Sequence, residues 1–146
     1  MKTIFVTFLL SLLAGSLHVH ADVINSDSNG LSLLNRIDYS PSLTTSGQPT
    51  EGELALIASA GFDRVIFLAF TNHPKAVAHE DDIVRDQGLQ FIHIPVEWRS
   101  PSAADFAAFA AIMQTFGSGR TLLHCEVNFS ASVFDFLYQV LSEGAD

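Results

Sequence analysis

Residues 119–134 read GRTLLHCEVNFSASVF, and the parsing of this stretch decides the fold. Arg120 to His124 is a short run that predicts a strand. It delivers Cys125, the only cysteine of the chain, into a polar segment. Apolar periodicity resumes in ASVFDFLYQVL, which predicts a helix beginning at Ala131. A strand that hands a thiol to a loop closed by a helix builds an anion cradle. Backbone N–H groups at the helix start point into the loop and carry partial positive charge. A thiolate beside them is stabilised, and the thiolate is the reactive form. Such a cradle normally also holds an arginine, and none follows Cys125. Cys125 is therefore either a buried, inert thiol, as free cysteines often are, or a reactive loop thiol.

Working outward, RVIFLAF (64–70) and LQFIHIPV (89–96) predict two further strands, the first a fully apolar run of the buried kind. A lead-in strand or loop is expected within residues 31–50, punctuated by Pro41, Gly47 and Pro49. Thr50 with Glu53, and Ser102 with Asp105, have the spacing of helix capping boxes. They open the predicted helices EGELALIASAG (51–61) and SAADFAAFAAIMQTFG (102–117), and KAVAHEDDIVRDQG (75–88) predicts another. Strands alternating with helices through short links imply a single α/β domain, a mainly parallel sheet flanked by helices. In such sheets the ligand crevice lies beyond the carboxyl ends of the strands. The ends that should open together are Phe70–Thr71–Asn72, Val96–Glu97–Trp98 and His124–Cys125.

The chain has 146 residues and a formal net charge of −9, an acidic balance that excludes a nucleic-acid partner. At the N-terminus Lys2 precedes an apolar run from Ile4 to Leu17. Val19 and Ala21 then supply small residues at a cleavage site. This predicts a secretory signal peptide over 1–21, removed after Ala21, and a secreted or periplasmic protein with no stable membrane anchor. Residues 22–38 read as a flexible leader and 39–146 as the folded domain. A lone cysteine leaves no internal disulfide to form.

SGQPTEGELALIASAGFDRVIFL (46–68), GLQFIHIPV (88–96) and GRTLLHCEVNFSAS (119–132) together resemble the cysteine-dependent phosphatases of protein-tyrosine and dual-specificity type. The nearest branch is the bacterial beta-lactamase-hydrolase-like phosphatase-like proteins. The resemblance spans about Tyr39 to Val140. It implies a two-step hydrolysis of a phosphomonoester, with a phosphorylated substrate or other anion as the partner. By that resemblance Cys125 matches the nucleophile and His124 the histidine that shapes the loop and favours thiolate. The backbone amides of Glu126, Val127, Asn128, Phe129 and Ser130 match the phosphate cradle. The acid that protonates the leaving oxygen should follow the strand ending at Val96. Glu97 is better placed there than Asp105, which reads as a helix-start carboxylate. No metal or cofactor is implied, and no protein partner is identified.

The family closes its loop with an arginine five or six positions after the cysteine, and here those positions are Ser130 and Ala131. The usual loop glycine is also missing, although Asn128 tolerates positive φ. Each charge-assisted hydrogen bond contributes ~1.5–3 kcal/mol and a bidentate clamp makes two. Losing them from the transition state costs about two to four decades in rate. Arg99 and Arg36 are the candidate substitute cations, whereas Arg120 should point away. Three readings follow: a weak phosphatase, a pseudo-phosphatase that binds an anion or a partner, or a rhodanese-like loop carrying sulfur on Cys125.

Smaller features have plain explanations. His73, His79, Glu80, Asp81 and Asp82 match no compact metal motif, and an acidic helix start explains the carboxylates. His93 reads as a satisfied core histidine. Trp98 either lines a pocket or packs, and the phenylalanines from Phe106 to Phe136 read as core.

Overall fold

The computed structural model describes residues 31–142. The expected signal peptide, and the leader up to residue 30, lie outside the described residues. Five strands form one sheet in the order β1-β2-β5-β3-β4. They are β1 (Ile37–Ser40), β2 (Leu43–Ser46), β3 (Arg64–Phe67), β4 (Gln90–His93) and β5 (Thr121–His124). β1 runs antiparallel to β2 at one edge, and the other pairings are parallel. The helices are α1 (Glu51–Leu54), α2 (Glu80–Arg85), α3 (Ala103–Thr115) and α4 (Phe129–Ser142). No described helix is long and apolar enough to cross a membrane.

The period-two alternation of a strand sorts side chains into two cores. Val65 of β3 and Leu122 of β5 pack with Leu54, Ile57 and Val84 under α1 and α2. Their neighbours Ile66 and Leu123 pack on the opposite face with Phe109, Ala131 and Phe134 of α3 and α4. β3 and β5 are buried throughout, as expected of central strands covered on both sides. Leu31 and Leu33 are buried in the α1/α2 core. The packed domain therefore begins at or before Leu31 and takes in the end of the segment expected as a flexible leader.

Helix starts follow their capping signals, but helix lengths do not follow the apolar patterns. Both capping boxes form, Thr50 with Glu53 and Ser102 with Asp105. The helix expected over 51–61 stops at Leu54 because the Gln87 side chain enters its ladder. Gln87 Nε2 donates to the Leu54 carbonyl at 2.8 Å, and the Ala58 N–H donates to Gln87 Oε1 at 3.2 Å. The bond that would join Ala58 to Leu54 is thus replaced by a side-chain amide. α2 starts only at Glu80, after His79 adopts a left-handed φ of 56°. α4 starts two residues earlier than predicted, because the Asn128 carbonyl accepts from the Ser132 N–H and hydroxyl at 3.1 and 2.7 Å.

Candidate active site

The three strand ends open together, as the topology requires. They enclose a cavity of about 610 Å³ whose wall includes Phe70, Asn72, His73, Val96, Glu97, Trp98, Cys125 and Ser130. Cys125 lies at its base, only 4% exposed, with its N–H bonded to the Ser46 carbonyl at 3.2 Å. The buried thiol and the loop thiol are thus the same group, packed against the α3/α4 core from below and facing the cavity.

The loop after Cys125 is held from behind. The Glu126 carbonyl accepts from the Gln48 N–H at 3.2 Å, and Val127 pairs with Gly47. A Cβ on Gly47 would come within 2.9 Å of Leu34 and 3.1 Å of the Val127 Cα, so the close approach needs glycine. Asn128 takes φ 74° in the place where a glycine is usual. Its amide donates to the Asn35 carbonyl, and the Asn35 amide donates back to the Val127 carbonyl. Asn128 is thereby buried against the 31–36 segment and does not line the cavity, unlike Glu126, Val127, Phe129 and Ser130. Glu97 does line it, exposed, with one carboxylate oxygen accepting from the Arg99 N–H at 3.3 Å.

His124 points to the other face of the sheet, as its alternation with Cys125 dictates. It stacks on Phe67, which in turn stacks on His93, with ring centroids 4.7 and 5.0 Å apart. His93 is exposed, not a core residue, and its Nε2 bonds the Ala69 carbonyl at 2.7 Å. His124 is fully buried, and its Nε2 lies 2.7 Å from Glu80 Oε1. This is an ion-pair contact by distance, without the alignment of a hydrogen bond. Glu80 is itself 5% exposed, so it is not the solvated helix-start carboxylate that its sequence context suggests.

The pairing continues to the cavity wall. Gln48 Nε2 donates to Glu80 Oε2 at 2.8 Å, and Gln48 Oε1 lies 3.3 Å from His73 Nε2. Because His73 Nδ1 accepts from the Lys75 N–H at 3.1 Å, its ring proton belongs on Nε2 and donates to Gln48. Burial lowers the His73 pKa from its ordinary value, against the opposing pull of Glu126 and Glu80. Gln48 was not singled out in the sequence, and Glu80 was read there only as a helix-start carboxylate. The usable signal is that a histidine on a fully buried strand end needs a polar partner, though nothing local says which carboxylate supplies it.

Among the described residues no lysine or arginine lines the cavity. Arg36 is held by Asp38 at 3.0 Å, and Arg120 by Asp38 and the Ala60 carbonyl. Arg64 is buried beside Thr121 and Phe116. Arg99 stands at the rim, its guanidinium over the Trp98 ring at 4.8 Å from the centroid. Ser130 faces the cavity, whereas Ala131 is fully buried in the α3/α4 core. Of the two positions where the resemblance expects an arginine, Ser130 is the one that shares the cavity with Cys125. Among the described residues no group of three or more His, Cys, Asp or Glu is placed to hold a metal.

Comparison with known proteins agrees with this architecture. No protein-family profile and no curated protein sequence matches the chain. Among solved structures, a DUF442 phosphatase-like protein from Shewanella putrefaciens CN-32 is 35% identical, with a TM-score of 0.74, over 83% of this chain and 76% of that one. The phosphatase Tk-PTP aligns at 19% identity and a TM-score of 0.64, over 76% of each chain. TpbA of P. aeruginosa aligns at 18% and 0.62, over 77% of this chain and 67% of its own. These two share the fold. The likeness to the Shewanella protein is close enough to show family, and the chain belongs to the DUF442 phosphatase-like proteins of the cysteine-dependent, protein-tyrosine-phosphatase-like superfamily.

Proposed function

We propose that this is an exported phosphatase-like protein whose cysteine loop is kept in form but no longer supports fast phosphoryl transfer. Cys125 stands where the nucleophile of a two-step phosphomonoester hydrolysis would stand, and Glu97 is the carboxylate nearest the role of acid. The observation that carries the reading is the wall of the cavity: Ser130 occupies the position of the clamp, and no lysine or arginine lines the site. Without a clamp the developing charge on the transferred phosphoryl group is met by backbone N–H groups alone. That deficit of ~3–6 kcal/mol leaves about two to four decades less rate. Export rests on the N-terminal pattern ending at Ala21.

The assay is hydrolysis of p-nitrophenyl phosphate by purified protein lacking residues 1–21. Wild type should run at the level of Cys125→Ser. Robust wild-type turnover that Cys125→Ser abolishes would overturn the proposal.

A further inference from the structure

We propose that the cavity over Cys125 selects a ligand bearing a positive charge on an aromatic or apolar body, an arylalkylammonium in chemical class, in place of a phosphate dianion. The proposal rests on the reading above that the loop has lost its clamp. The same change that removes the clamp leaves the cavity with a wall of opposite sign.

Two carboxylates reach the cavity from different elements, Glu97 from the β4–α3 link and Glu126 beside Cys125. The one titratable base in the wall, His73, is kept towards its neutral form by burial, so it does not offset them at neutral pH. The start of α4 contributes only ~0.5 of a positive charge, and Arg99 stands at the rim over Trp98 rather than in the lining, so the charged side chains of the wall itself are the two carboxylates. The aromatic part of the wall is unusually open: Phe70, Trp98 and Phe129 are 42%, 56% and 62% exposed. An apolar body seated there would cover large ring surface, and a cation would meet ring faces and carboxylates together. The chain already displays this preference at the rim, where the Arg99 guanidinium lies 4.8 Å from the Trp98 ring centroid. A volume of about 610 Å³ suits a small organic molecule. A phosphate dianion would enter the same space against two like charges.

Trp98 is the only tryptophan of the chain, so intrinsic fluorescence reports on this wall directly. Wild type is titrated at low ionic strength with benzyltrimethylammonium, phenyl phosphate and benzyl alcohol. Benzyltrimethylammonium should give a saturable change with a Kd at least about tenfold below that of phenyl phosphate, and added salt should narrow the gap. In the double variant Glu97→Gln, Glu126→Gln the preference should vanish, with the benzyl alcohol response kept within about twofold. The proposal is overturned if phenyl phosphate binds as tightly as the cation. It is overturned equally if the cation gives no saturable change, or if its preference survives in the double variant. Phenyl phosphate binding as tight as the cation's, without p-nitrophenyl phosphate turnover, would sink this inference alone. Binding accompanied by turnover would sink the clamp-loss reading as well.

Discussion

Cys125 and His124 are adjacent in sequence but serve opposite faces of the sheet, and that separation gives each its surroundings. The thiol faces the cavity with Ser130, whereas the imidazole is sealed behind the loop against Phe67 and Glu80. The buried imidazole and the Glu80 carboxylate lie 2.7 Å apart behind the loop, so each gives the other a polar partner where water cannot reach. Glu80 is therefore expected to position His124, and through it the loop that carries Cys125. In folded Glu80→Gln protein, iodoacetamide alkylation of Cys125 at pH 7 should slow by on the order of tenfold, a decade for each ~1.4 kcal/mol lost. The His124 ring proton signal should move with it in NMR spectra, and Glu80→Asp should recover part of the rate. A purely structural role would lower the melting temperature and leave both readouts in place. None of this was legible locally, because Glu80 sits in HEDD, where a run of carboxylates at a helix start explains itself without a buried partner.

At the scale of elements, signals that depend on a few neighbouring residues were readable, and those that depend on distant ones were not. The capping boxes at Thr50 and Ser102 formed because hydroxyl and carboxylate are local to the turn they close. The length of α1 was not readable, since the amide that ends it comes from Gln87, 33 residues beyond Leu54. The antiparallel strand β1 lies in the stretch where a lead-in strand or loop was expected, and it straddles the boundary read between leader and domain at residue 38. Its anchor is Asp38, which bonds Arg36 at 3.0 Å and the Thr44 hydroxyl at 2.6 Å across to β2. Burial pushes the Asp38 carboxyl up, but the Thr44 hydroxyl and the Arg36 and Arg120 charges outweigh it and hold the pKa below 3.8. As pH falls the unfolded chain takes up this proton first. The stabilisation is therefore present above the unfolded value and lost as pH falls through the lower, folded one. Asp38→Asn should cost about 1–2 kcal/mol in urea unfolding at pH 7. The gap from wild type should narrow as pH falls below the ordinary carboxylate value; a gap that stays constant would remove Asp38 from the account.

For the whole molecule, the order of strands and helices follows from apolar runs and their punctuation, and the parallel sheet follows from that order. The crevice then follows from topology, which is why Glu97, Trp98 and Cys125 could be brought together before any coordinates. What periodicity could not separate is a helix face in the core from one outside it. Phe109 and Phe134 are buried, yet Phe129 and Phe136 at equivalent helical spacing are each 62% exposed. The account as a whole stands on the proposal that loss of the clamp at Ser130 is the main change that silences a phosphatase-like site. Ser130 is in the first turn of α4 and lines the same cavity as Cys125, so an arginine placed there would start from the cavity wall. The decisive measurement is p-nitrophenyl phosphate hydrolysis by Ser130→Arg beside wild type and Ser130→Arg, Cys125→Ser. The account predicts wild type at background, a rise of at least about tenfold in Ser130→Arg, and its loss in the double variant. Vigorous wild-type hydrolysis that Ser130→Arg leaves unchanged would contradict it.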